Sequence, residues 1–208
     1  MGVIKLNNPL LEHLVNSIRP LEVDHLRFRQ TLKAIGKLAL PYMLNDGILK
    51  PKKVKLWCGE YEFGFIEENR IVVLAVLRAS LPMFEGIMEV LKDAQGGFIA
   101  AKRDEKTLRS KIYYKRYTSL KDKLVIIPDP MLATGGTMEL VLEEVLKEKP
   151  QKVKTLHCVS APEGLKRLEK KFPDVEIYTV AVDERLNEEG FIVPGLGDAG
   201  DRAFNTET

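Results

Sequence analysis

The densest chemistry lies in residues 124–146, LVIIPDPMLATGGTMELVLEEVL. The aliphatic run 124–128 predicts a buried strand that delivers Asp129 at its carboxyl end. Pro130, Met131 and Leu132 follow, and then Ala133, Thr134, Gly135, Gly136 and Thr137 form a turn of small residues that opens a helix. Small residues let backbone N–H groups crowd around an anion. The helix N-terminus adds partial positive charge, and Thr134 and Thr137 add hydroxyl donors. A monophosphate suits such a cradle. The string is not a P-loop, because no Gly-Lys-Ser/Thr follows, and it lacks the three-glycine dinucleotide fingerprint. Taken alone, the turn fits an ordinary strand–turn–helix with a threonine cap equally well.

Cations and acids elsewhere are weaker signals. Arg78 follows the aliphatic run 71–77, where an unpaired charge would be costly. Arg103 opens the charged string RDEKT and, by itself, reads as a solvated side chain. Arg27, Arg29 and Lys33, near His25, make a basic stripe whose plain reading is a solvated face. Asp183 and Asp198 by themselves are turn formers. His157 lies in an aliphatic strand and reads as a satisfied core residue rather than a base. Cys58 and Cys158 each sit in an apolar, strand-like stretch, so two buried free thiols are expected, with no zinc-type spacing.

These residues need elements to position them. The first fifty residues read as helix, with Pro20 near a start, apolar positions at Leu26, Leu32, Ile35, Leu38 and Leu40, and Pro41 bending or interrupting the run. KKVKLWCG and EYEFGFI suggest a hairpin with a Gly-Glu joint. From residue 71 onward the pattern is strand, helix, three strands, helix, strand, helix, strand. Continuous aliphatic runs such as IVVLAVL and LVIIP suit strands covered on both faces. This order predicts an α/β fold with a doubly wound sheet. The tail from residue 183 is rich in Gly with little periodicity and reads as a long ordered loop, usually functional in a compact domain.

Composition narrows the function classes. The 208 residues fit one domain, 1–208, with a core at about 70–182. With 45% hydrophobic residues and a net charge of +2, dominant disorder is excluded and a nucleic-acid binder held by bulk charge is disfavoured. There is no apolar run of membrane-spanning length, no secretion-signal pattern and no myristoylation pattern, so a cytoplasmic protein is expected.

The string DPMLATGG after a hydrophobic strand resembles the ribose-5-phosphate loop of type I phosphoribosyltransferases, and in its detail the uracil phosphoribosyltransferase branch. Many type I members carry two adjacent acids where this chain has Asp129-Pro130. Leu77-Arg78-Ala79-Ser80 resembles the pyrophosphate loop, with Ser80 in place of the usual Gly. The 103–107 segment resembles the one whose arginine reaches pyrophosphate. Residues 183–187, DERLN, and 191–201, FIVPGLGDAGD, resemble the uracil-binding tail.

The resemblance implies a type I phosphoribosyltransferase fold: a mostly parallel sheet with N-terminal helices, a β-arm and a C-terminal hood. It implies transfer of ribose 5-phosphate from phosphoribosyl pyrophosphate (PRPP) to uracil, giving UMP and diphosphate. Arg78, Arg103 and Asp129 are the expected catalytic residues. Pro130, Met131, Leu132, Ala133, Thr134, Gly135, Gly136, Thr137 and Asp198 would join them in binding PRPP. Ile192, Gly197, Asp198 and Ala199 are expected at uracil. Mg²⁺ would arrive with PRPP, because no dense carboxylate cluster stands out. A homodimer or homotetramer is implied, and some microbial relatives respond to GTP or CTP, so Arg27, Arg29 and Lys33 become candidates for an effector. Two rivals remain at this point: a phosphoribosyltransferase for another base, and a phosphoribosyltransferase-like regulator that binds RNA or DNA.

Overall fold

The computed structural model describes residues 2–45, 48–103 and 110–206. The elements run β1 (Val3–Lys5), α1 (Pro9–Ser17), α2 (His25–Met43), β2 (Leu49–Leu56), β3 (Gly59–Ile66), β4 (Ile71–Leu77), α3 (Leu81–Val90), β5 (Gln95–Arg103) and β6 (Ser110–Arg116). They continue with β7 (Leu124–Pro128), β8 (Met131–Leu132), α4 (Gly136–Leu146), β9 (Lys152–Ser160), α5 (Pro162–Lys171), β10 (Glu176–Val182), β11 (Arg185–Leu186), β12 (Ile192–Val193) and α6 (Ala199–Phe204).

The central sheet has the order β1-β10-β9-β7-β4-β5-β6, with β8 also pairing β9. Every pairing is parallel except β5 with β6. After β4 the chain winds outward through β5 and β6. It then returns and winds the other way from β7 through β9 to β10. The order therefore reverses between β4 and β7, and the carboxyl ends of those two strands border the crevice where such sheets bind ligands.

Period-two alternation splits the core into two layers. Ile71, Val73 and Ile126 face α2 and α3, packing with Phe28, Leu32, Ile35 and Met83. Val72, Leu74, Val125 and Ile127 face the opposite side, against Val141, Leu142, Leu165 and Leu168 of α4 and α5. Both faces of β4 and β7 are thus covered, which is why their sequences read as unbroken aliphatic runs. The crossing of α2 and α3 is close: a Cβ on Gly86 would stand 2.1 Å from the Lys33 carbonyl oxygen, and one on Gly36 2.4 Å from that of Met83.

Several sequence expectations need correction. The first fifty residues are not all helix. Val3–Lys5 forms the edge strand β1, and its three residues are too short to carry a readable alternation. Pro20 does not start a helix; Asp24 does, its carboxylate accepting from the Arg27 N–H at 2.8 Å. Pro41 falls in the last turn of α2, which runs on to Met43. Leu26 and Leu38 are exposed, and the buried stripe is Phe28, Leu32, Ile35, Ala39 and Met43. The hairpin pairs Lys55 with Glu60, so its turn is Trp57-Cys58 rather than Gly59-Glu60. Cys58 is exposed because that hairpin projects from the body, and only Cys158 is a buried thiol. The tail is not plain loop: β11 and β12 pair with each other, and α6 follows.

Candidate active site

Three chain segments meet at the carboxyl edge of the sheet. β4 ends in Leu77, and the turn after it carries Arg78, Ala79 and Ser80 before α3 begins. The Leu77–Arg78 peptide is cis. Ser80 is fully buried, its hydroxyl donates to the Val76 carbonyl at 2.7 Å, and its φ is −76°. A serine replaces the usual glycine here without difficulty, because the position adopts an ordinary right-handed conformation.

The second segment is the turn between β7 and α4. Pro130 is buried, and its carbonyl accepts from the N–H groups of Cys158 and Val159, which fastens the turn to β9. Gly135 caps α4 at φ +77°, the left-handed region that favours glycine. The Thr134 carbonyl accepts from Arg167 at 3.3 Å, and Gly164 of α5 lies so close that a Cβ there would stand 2.3 Å from the Ala133 oxygen. The turn is therefore braced from behind. Its open side presents the first N–H groups of α4, which have no intrahelical partner. Arg78, Asp129, Ala133, Thr134, Gly136 and Thr137 border one cleft of about 250 Å³.

Asp129 keeps a partial opening to this cleft, yet packed protein surrounds its carboxyl. That desolvation raises its pKa to about 7, against a smaller opposing effect of the Met131 N–H. Behind it, His157 is buried. Its Nδ1 lies 2.8 Å from the Asp129 carbonyl oxygen and its Nε2 3.0 Å from the Thr155 hydroxyl. Burial lowers the imidazole to about 4, so His157 is the satisfied core residue the sequence suggests. Burial also pushes the Cys158 thiol up, which keeps it protonated and unreactive. The two titrations act on stability in opposite senses. Neutral His157 loses stability as pH falls from about 6.5 towards 4, whereas Asp129 loses it as pH rises from about 4 through 7.

The third segment is the tail. Asp183 forms a two-pronged pair with Arg19 at 2.8 and 2.9 Å and also accepts from the Gly195 N–H at 2.8 Å. Arg202 donates to the carbonyls of Leu196 and Pro20 and sits 4.5 Å over the Phe28 ring. These links strap the 192–199 turn onto the N-terminal segment. Within it Ile192 and Ala199 are buried, Gly195 and Gly197 have φ of +65° and +70°, and Asp198 caps α6. The tail residues do not border this cleft themselves. They adjoin it through Gly200, where a Cβ would lie 3.7 Å from Arg78 Nη2.

Asp183 is more than a turn former, whereas the side chain of Asp198 makes the local cap of α6. Arg19, Arg167 and Arg202 were not singled out by the sequence, since lone arginines carry no spacing signal. Arg103 is the last residue of β5; its side chain and residues 104–107 lie outside the described residues.

A family model described as uracil phosphoribosyltransferase matches residues 5–206. The chain belongs to the uracil phosphoribosyltransferase family. A uracil phosphoribosyltransferase of Aquifex aeolicus is 48% identical over 202 residues, covering 97% of each chain. The solved structure of the AQ2163 protein of Aquifex aeolicus superposes with a TM-score of 0.96 at 47% identity, covering 99% of each. More distantly, a hypoxanthine phosphoribosyltransferase of Trypanosoma cruzi, solved with IMP, gives a TM-score of 0.51 at 17% identity, covering 78% of this chain and 79% of that one. A purine phosphoribosyltransferase of Pyrococcus horikoshii gives 0.50 at 23%, covering 74% and 84%. Those two share the type I phosphoribosyltransferase fold with this family member, as the sequence predicts. The base it takes is a matter for the family match and the tail.

Among the described residues no group of three or more His, Cys, Asp or Glu could hold a metal. Among the described residues Asp129 is the lone carboxylate bordering the cleft, which suits an ion that takes most of its oxygen ligands from substrate and water. No described helix is long and apolar enough to cross a membrane.

Proposed function

We propose that this chain transfers the 5-phosphoribosyl group of PRPP to uracil, giving UMP and diphosphate. The family match across residues 5–206, tail included, carries the reading. The whole chain acts as one phosphoribosyltransferase domain, with N-terminal helices and tail as its hood. Formation of UMP and diphosphate from uracil and Mg-PRPP, followed by chromatography, tests it.

In this reading the 5′-phosphate sits on the N–H groups and hydroxyls of Thr134, Gly135, Gly136 and Thr137, with Met131, Leu132 and Ala133 shaping the approach and Pro130 anchoring it. Arg78 and Arg103 face the pyrophosphate, and Asp129 the ribose hydroxyls. The bond from C1′ to the pyrophosphate oxygen breaks as the bond to uracil N1 forms, and the N1 proton passes to the departing diphosphate or to water. Positive charge grows at C1′, so placement and charge stabilisation do the catalysis, without a side-chain nucleophile. Mg²⁺ carried in on PRPP would neutralise phosphate charge, with Asp129 as the described carboxylate beside it. Uracil lies against Ile192, Gly197 and Ala199, with Asp198 turned to the PRPP side.

Two variants check the phosphate and ribose roles. Gly136 lies outside the left-handed region, so Gly136→Val should leave the fold intact while its side chain blocks the anion. We expect PRPP affinity to fall at least tenfold with an unchanged melting temperature; Gly135→Val should lose stability as well. Ionised Asp129 accepts from ribose hydroxyls with both oxygens and carries the negative charge that favours a cationic C1′, whereas the protonated acid offers less of each. With its pKa near 7, kcat/KM for PRPP should rise with pH through about 7 and level off above it. In Asp129→Asn that rise should vanish; an unaltered profile would withdraw the role.

The finer parts of the reading concern setting and assembly. PRPP is a polyanion that does not cross membranes unaided, which points to the cytoplasm. The β2–β3 arm exposes Trp57, Tyr61, Phe63 and Phe65, an apolar surface suited to homo-oligomer contacts. At the proposed effector face, Arg29 donates to the Ala203 carbonyl and Lys33 pairs with Glu85 and Glu89. A triphosphate would have to displace those partners. A GTP effect on rate that disappears in Arg27→Ala would assign the face, and an unchanged rate and oligomer size would withdraw it.

A further inference from the structure

The pyrophosphate turn and the base-binding tail are joined by one ion pair. Arg78 Nη2 donates to Asp201 Oδ1 at 2.9 Å, and Arg78 Nη1 donates to the Thr206 hydroxyl at 3.1 Å. That hydroxyl donates in turn to Asp201 Oδ1 at 2.5 Å. Asp201 is fixed from its own side too: its N–H donates to Asp198 Oδ1 at 2.9 Å, and its carbonyl accepts from the Thr206 N–H. The Thr206 hydroxyl first, and the Arg78 guanidinium after it, hold the Asp201 carboxyl below the usual carboxylate range, so it is charged at neutral pH.

The two partners differ in exposure. The Asp201 side chain is 13% exposed and that of Arg78 55%. The carboxylate is the fixed partner and the arginine the one that would otherwise sweep through solvent. Arginine has five N–H donors in a rigid fork. Two are held by the tail, which leaves three for an anion in the cleft. An arginine oriented beforehand loses less side-chain entropy when that anion arrives.

We infer that Asp201 is a positioning residue that aims Arg78 and, by tying it to the α6 segment, makes binding of the base and binding of pyrophosphate mutually reinforcing. The inference rests on the reading of Arg78 as a pyrophosphate ligand. Its logic is mechanical. Uracil at 192–199 would add contacts to the segment that leads into α6, whose N-cap is Asp198. The same helix carries Asp201, and Asp201 sets the guanidinium. Coupling of this kind must be reciprocal, and typical values run from about 5- to 150-fold.

Mg-diphosphate is the probe, because with uracil alone it cannot react. Titration calorimetry should show that uracil tightens Mg-diphosphate binding to the native chain at least fivefold. In Asp201→Asn the enhancement should fall below twofold, while uracil affinity without diphosphate and the melting temperature stay unchanged. A merely structural aspartate would lower stability or uracil affinity and leave the ratio intact. Thr206→Val, which removes the hydroxyl but keeps the shape, should reduce the enhancement as well and serves if Asp201→Asn does not fold. In the Arg78→Ala background, Asp201→Asn should change the KM for PRPP by less than twofold, because the residue it acts through is gone. An enhancement preserved in both Asp201→Asn and Thr206→Val, or independent multiplication of the Arg78 and Asp201 effects, would overturn the inference alone. Native diphosphate affinity in Arg78→Ala would overturn the assignment of Arg78 and the inference with it.

Discussion

Cytosine should be used about 10⁴–10⁵ times less efficiently than uracil, as expected of a site built to hydrogen-bond one edge of its substrate. Uracil presents a C4 carbonyl acceptor and an N3–H donor, and cytosine reverses both. The 192–199 turn offers few side-chain donors, so the proposed reading groups are the Ile192 carbonyl and the N–H groups of Gly197 and Ala199. Ala199 is the first residue of α6, where an N–H has no intrahelical partner. The turn is held tightly: a Cβ on Gly195 would stand 2.2 Å from the Ile192 oxygen, and Asp183 ties Gly195 to Arg19. Backbone groups fixed in this way cannot rotate to suit an amine, so cytosine leaves polar groups of both site and base unpaired. The preference should survive side-chain substitutions that keep the backbone path. Gly197→Val, strained at φ +70°, should weaken uracil binding and spare PRPP binding. Comparable kcat/KM for cytosine and uracil would contradict the backbone reading.

Arg78→Ala and Arg103→Ala should each lower kcat by about 10²–10³, the usual loss when one well-placed charge-stabilising donor is removed. The leaving diphosphate gathers negative charge as C1′ becomes cationic, and a guanidinium meets two phosphate oxygens with parallel donors. Lysine cannot reproduce that planar fork, so Arg103→Lys should recover only part of the rate. Single-turnover measurement with Mg-PRPP and uracil separates this chemical step from product release. A catalytic constant within about twofold of native for Arg103→Ala would withdraw its role, given the size of effect that a charge-stabilising donor carries.

The sequence exposed most of the central sheet because β4 and β7 are buried on both faces and leave no polar interruption in their aliphatic runs. The turn at 133–137 was legible for a related reason: it packs closely against α5, where a Cβ on Gly164 would stand 2.3 Å from the Ala133 oxygen, and Gly135 takes a positive φ. The edge strand β1 escaped notice because it is three residues long and half solvated. The exposure of Cys58 was hidden because the hairpin is rich in strand formers, and composition does not reveal that nothing among the described residues covers it. The straps of the tail were invisible for a different reason. Arg19 lies 164 residues from Asp183, and Arg78 123 residues from Asp201. Pairs so far apart in sequence are brought together only by the sheet, which places the strand ends beside one another.

The central claim is base-specific phosphoribosyl transfer. Its most direct test is incubation of the purified chain with Mg-PRPP and, in separate reactions, uracil, cytosine, orotate, hypoxanthine and adenine, with mass-spectrometric identification of the nucleotide and quantification of diphosphate. The account predicts UMP and diphosphate in equal amounts from the uracil reaction, and no comparable nucleotide from the other four. A purine nucleotide or orotidylate formed at a rate matching or exceeding that of UMP, or PRPP left intact in the presence of uracil, would contradict it.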